Sequence, residues 1–116
     1  MTLRVREERG TYELAGVVSR KYSDGRAPSR VGVFTTHLPE VTLGTPRELT
    51  GSVFEVLGRI LPPTAGGEDA AYRVVLSVEQ RGQILWTGVP AEGGEGLLRH
   101  APQRFLHRFT VSGEPA

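Results

Sequence analysis

Four cations and one aromatic ring crowd a short stretch of this 116-residue chain: Arg20, Lys21, Tyr22, Arg26 and Arg30, with Asp24 the one acid between 20 and 30. Phe34 follows closely. A second basic run, Arg99, His100, Arg104, His107 and Arg108, lies where no acid occurs from 96 to 113. Cations at such spacing track the phosphates of a flexible strand, while flat rings stack on bases without reading their order. In that chemistry Arg20, Lys21, Arg26, Arg30, Arg104 and Arg108 take phosphates, and Tyr22 or Phe34 stacks. Each cluster also reads as an ordinary solvated surface, because exposed charges need no ligand.

The other reactive residue types form no catalytic set, and the expectation is a protein that is not an enzyme and holds no metal or cofactor. His37, His100 and His107 show no ligand spacing, and cysteine is absent, which removes thiolate sites, disulfides and cysteine nucleophiles. Serines lack a Gly-x-Ser-x-Gly elbow. The carboxylates Glu7/Glu8 and Glu68/Asp69 are sequence neighbours, which strands turn to opposite faces. The run Gly93-Gly94-Glu95-Gly96 places an acid where a phosphate loop needs donors.

Composition bounds the rest. The length is that of one domain with a single core, here 1–112 followed by a flexible tail, 113–116. The start alternates charges where a signal peptide needs an apolar run, and no apolar stretch reaches membrane-spanning length, so the expectation is a soluble, cytoplasmic protein without membrane contact. Thirteen of the 14 basic side chains are Arg, a bias that a GC-rich genome produces through codon use. The Arg count alone therefore says little about ligands.

Gly and Pro together number 23 and leave little room for helix. Period two dominates. Tyr72, Val74, Leu76 and Val78 share one face of a strand, opposite Arg73, Ser77 and Glu79, with Val75 the apolar exception. Gln80-Arg81-Gly82-Gln83 then makes a tight turn into Ile84–Val89. Further strands are expected at 2–8, 12–20, 31–37, 50–60 and 104–112, and loops at 21–30, 39–47, 61–71 and 90–102. One helical turn is allowed at Leu97–His100. The fold class is all-β: a small antiparallel barrel, OB-like or related, with long Gly/Pro loops and at most one short helix. Trp86, Tyr72, Phe54, Phe105 and Phe109 are expected in the core or an interface, since eight aromatics leave few to spare. An echo between Glu13-Leu-Ala-Gly-Val-Val18 and Glu48-Leu-Thr-Gly-Ser-Val53 raises the question of a duplication.

Two segments bear a family likeness. Leu14-Ala-Gly-Val-Val-Ser-Arg20, a polar loop with Gly25 and Pro28, and Val31-Gly-Val-Phe-Thr-Thr36 resemble the opening of single-stranded DNA-binding proteins and single-domain primosomal relatives. Gly51-Ser-Val-Phe-Glu-Val-Leu-Gly-Arg-Ile60 resembles a later strand of that family. Between Leu38 and Gly51 the connection is shorter than the family's, and strands are expected at 81–112 where the family carries an acidic tail. The resemblance implies an oligonucleotide-binding barrel with a basic groove and exposed aromatics, often in an oligomer.

A second class of function suits the same residues. Small β proteins with no reactive site serve as structural or assembly subunits, of viral particles or other machines, through loops and strand edges. The Leu97-Leu98 pair and the 61–71 loop are then the contact points, with a homo-oligomer or another protein as partner. The deciding geometric question is whether the two basic segments share one face.

Overall fold

The computed structural model describes residues 1–9, 12–22, 25–45, 49, 51–61, 70–98 and 102–111. Among these the elements are nine strands: β1 (Thr2–Glu7), β2 (Glu13–Lys21), β3 (Ser29–Thr35), β4 (Glu40–Thr42), β5 (Val53–Leu61), β6 (Ala70–Gln80), β7 (Gln83–Gly88), β8 (Glu95–Leu98) and β9 (Gln103–Thr110). The all-β expectation holds. The tail at 113–116 and most of the 61–71 loop lie outside the described residues.

Alternation decides what each strand buries. β1 turns Leu3 and Val5 inward and Arg4 outward, and β6 buries Tyr72, Val74, Leu76 and Val78. These strands belong to a first antiparallel sheet ordered β4-β1-β6-β7, with β8 also paired to β6. A second sheet is ordered β3-β2-β5-β9. Their inner faces share one core, in which Leu3, Val5, Val74 and Leu76 meet Val18, Phe34, Phe54, Val56, Ile60 and Phe105.

The barrel expectation is corrected to two facing sheets. Among the described residues the strand ladders run within each sheet, and a single bridge, Glu92 to Leu106, joins one sheet's connecting segment to the other's edge. Closing a barrel needs a continuous ladder around the axis.

The second sheet is built on an aromatic and glycine row. Gly16 and Gly58 are direct partners on β2 and β5, flanked by Phe34 on β3 and Phe105 on β9. A Cβ on Gly16 would lie 2.3 Å from the Phe34 ring, and one on Gly58 would lie 2.3 Å from Phe105. The two rings lie over the glycines and approach to 6.2 Å between centroids. Aromatic cover of strand glycines is a known way to fill such hollows.

This row corrects one sequence expectation and explains another. Phe34 is 1% exposed, so it has no free face for stacking. Val31 is unpaired at a bulge between Gly32 and Arg30, and the strand beyond it turns Phe34 in and Val33 out. The two glycines carried by the family-like segments therefore have a packing role here. The echoed glycines are not equivalent either: Gly16 sits inside β2, whereas Gly51 takes a φ of 82° in the turn before β5.

The β6–β7 hairpin forms as read. Arg81 and Gly82 have φ of 51° and 79°, the double positive φ of a type I′ turn. β4 and β8 were not foreseen. β8 takes Leu97 and Leu98 of the span 97–100 where a helical turn was allowed, the other two residues lying outside those described, and it adds to β6 through Ala70↔Leu98 to Arg73↔Glu95.

Candidate functional site

Register places side chains on the outer face of the second sheet in rows. The first row is Arg30, Ser19, Glu55 and Arg108, read across β3, β2, β5 and β9. The next is Val33, Val17, Leu57 and Leu106, and the third is Thr35, Ala15, Arg59 and Arg104. The β2–β3 hairpin and β9 thus present cations to one common face, across the width of the sheet.

Glu55 lies between the two basic segments and binds both. Its carboxylate is 2.8 Å from Arg108 Nε and 3.0 Å from Lys21 Nζ. Hydrogen bonds from Arg108 and Lys21 hold this carboxyl below the usual range, and the same contact raises Arg108. Lys21 and Arg108 are therefore partly neutralised where a phosphate would approach.

The hairpin's other cations are also engaged. Arg20 Nε donates to the buried Ser52 Oγ at 2.9 Å, satisfying a hydroxyl that would otherwise be costly to bury. Arg20 and Arg26 both lie over the Tyr22 ring, at 5.0 and 4.1 Å from its centroid, and Tyr22 Oη is 2.9 Å from Ser29 Oγ. Such cation–π contacts occupy the π surface that a base would use. Arg30, Arg59 and Arg104 are exposed and, among the described residues, make no ion pair or hydrogen bond. Arg99 and His100 lie outside the described residues.

His107 does not join the basic face. It points inward with Phe105 and Phe109, stacks on Trp86 at 4.9 Å between centroids, and accepts a hydrogen bond at Nδ1 from the Ala91 N–H. Burial holds the imidazole below its ordinary value. Trp86, His107, Phe109 and Phe54 form a run of rings from the edge inward, with successive centroids 4.9, 6.4 and 5.4 Å apart.

The surface that sequence reasoning missed is the edge strand β7. Ile84, Leu85 and Trp86 are 60%, 49% and 38% exposed, although Trp86 was expected in the core or an interface. Leu85 is unpaired at a bulge between Trp86 and Ile84. No strand flanks β7 on its outer side among the described residues. It carries no charged residue, whereas the other edges carry Arg30 on β3, Glu40 on β4, and Arg104 and Arg108 on β9. The signal was present: three consecutive apolar residues with no alternation, on a strand following an alternating one. Of the contact points expected for an assembly subunit, Leu97 is exposed, while the Leu98 side chain and residues 62–69 are not described.

No protein-family model, no curated protein sequence and no solved structure matches this chain.

Proposed function

We propose that this protein is a non-catalytic assembly subunit that associates with a second copy of itself through the edge formed by β7. The observation that carries this reading is the uncharged, exposed run Ile84-Leu85-Trp86 on an unflanked edge. Edge strands are ordinarily blunted by charge, by shortness or by cover, because an open apolar edge invites another chain.

Self-association fits the charge pattern. A two-fold contact brings each residue near the same surface of its partner, so a charged edge opposes itself. β7 avoids this, and a formal net charge of +1 leaves little long-range repulsion between copies. The bulge at Leu85 interrupts a regular ladder, which limits open-ended strand addition while leaving the side chains outward. A closed pair is thereby favoured over a growing sheet.

Support for single-stranded nucleic-acid binding through the β2–β3 hairpin is weaker. Four of its six phosphate candidates, Arg20, Lys21, Arg26 and Arg108, have protein partners, Phe34 is buried, and two guanidinium groups lie over the Tyr22 ring.

Sedimentation velocity across a wide concentration range tests the self-association. The wild-type chain is expected to form a discrete dimer, and Ile84→Lys with Leu85→Lys is expected to yield a folded monomer. A wild-type monomer at every concentration, or a dimer indifferent to both substitutions, sinks the proposal.

A further inference from the structure

Arg59 and Arg104 face each other directly in the β5–β9 ladder, on the outer face of the second sheet. Like charges set opposite each other destabilise a sheet, and adjacent acids usually relieve them. Here relief is missing. Among the described residues neither guanidinium has an ion pair or hydrogen bond. The rest of their row is Ala15 and Thr35, and the adjoining row is apolar across the four strands, with Glu92 bridged to Leu106 at its end. The nearest acids, Glu13 opposite Leu61 and Glu92 opposite Leu106, make no ion pair with either among the described residues. The contrast with Glu55, which neutralises two cations on the same face, shows that the sheet can supply an acid.

Beside the pair lies a depression of about 510 Å³, bounded by Ala15, Val17, Leu57 and Pro102 as well as the two arginines. Ala15 keeps the hollow shallow-walled, and the strand backbone at Gly16 and Gly58 forms part of its floor. The hollow joins two donor forks to an apolar floor. Guanidinium forks match the oxygen geometry of phosphate and bind it bidentately.

We propose that Arg59 and Arg104 clamp the phosphate group of an organic phosphate, whose carbon skeleton lies on Ala15, Val17 and Leu57. The site is separate from the β7 edge and does not depend on self-association. A phosphorylated small molecule and the backbone of a nucleic-acid strand offer the same group, and they differ in how many phosphates are engaged.

Amide-resolved NMR titrations with inorganic phosphate, adenosine 5′-monophosphate and a ten-residue oligothymidylate test the clamp at low salt. Saturable shifts are expected around Ala15, Val17, Leu57 to Arg59 and Arg104, with the nucleotide binding more tightly than inorganic phosphate. Arg59→Ala and Arg104→Ala should each weaken binding about tenfold or more, consistent with loss of a charge-assisted pair, whereas Arg30→Ala should not. Both arginines are exposed, so unchanged amide spectra away from the site will confirm the fold of the variants.

A small-molecule source is assigned if oligothymidylate binds no more tightly per phosphate than the mononucleotide. A strand is assigned if its affinity falls with salt at a slope of about −0.7 per phosphate for two or more phosphates, and Arg30→Ala then weakens the strand alone. Absence of saturable shifts with all three probes overturns the clamp. So does binding that survives both alanine substitutions.

Discussion

The two sheets share one core but differ on both of their faces. The first fills its inner face with aliphatic side chains such as Leu3, Val5, Val74 and Leu76. On its outer face Arg4 contacts Glu40 and Glu79, and Arg73 lies near Glu8 and Glu95. The second uses Phe34 and Phe105 over a glycine pair, and outside it shows an apolar row beside Arg59 and Arg104, which have no ion pair among the described residues. One sheet is electrically self-contained. The other is unbalanced, and a near-neutral whole chain conceals the segregation.

The largest expected effect breaks the inner-face contrast. Gly58→Ala places a Cβ against the Phe105 ring and should destabilise by about 3 kcal/mol or more, the upper part of the overpacking range, measured by chemical denaturation. Adding Phe105→Leu should recover part of that loss, giving a coupling of about 1 kcal/mol or more in a double-mutant cycle. Simple additivity would deny the ring-over-glycine account.

A smaller effect belongs to the seam where the sheets meet at Trp86 and His107. The folded state holds His107 neutral below its ordinary pKa, so between the folded and unfolded values the unfolded chain binds more protons. The contribution is complete above about pH 6.5 and is lost as pH falls. Thermal melts should show a lower Tm at pH 5 than at pH 7.5, and His107→Gln should lessen that difference. Glu55 also contributes only above its unfolded value, but its loss lies at more acidic pH.

The smallest effect separates the outer faces. Arg4→Ala should cost up to about 1 kcal/mol, as for an exposed pair. Arg104→Ala should cost nothing or add a few tenths of a kcal/mol, because it relieves a like-charge opposition. Equal losses in denaturation would show that the two faces are balanced alike.

Sequence periodicity located six strands that alternate over enough residues to define a face, and the tight turn at Arg81-Gly82 located β7 as the return of β6. β4 and β8 span Glu40–Thr42 and Glu95–Leu98, too short to establish a period, and their pairing is decided by distant strands. Charge clustering was legible for Arg20, Lys21, Tyr22, Arg26 and Arg30, but not its neutralisation, because Glu55 reaches Lys21 and Arg108 only through register. Arg59 was passed over for the same reason: its opposition to Arg104 depends on strand pairing across more than 40 residues of chain. For Trp86 the sequence left core and interface open, and an edge strand, which covers such a ring from one side only, leaves it 38% exposed.

The segment between β7 and β8 has a further consequence. Val74 N–H and Tyr72 Oη donate to Gly94 and Gly93 carbonyls, while Glu92 exchanges two backbone hydrogen bonds with Leu106. The chain leaves β7, bridges to β9 at Glu92 and then bonds to β6 at Gly93 and Gly94, tying both layers with the same few peptide groups. Opening one layer therefore strains the other, so the sandwich is expected to unfold as one cooperative unit, and hydrogen exchange should find the Glu92 and Leu106 amides protected until it does.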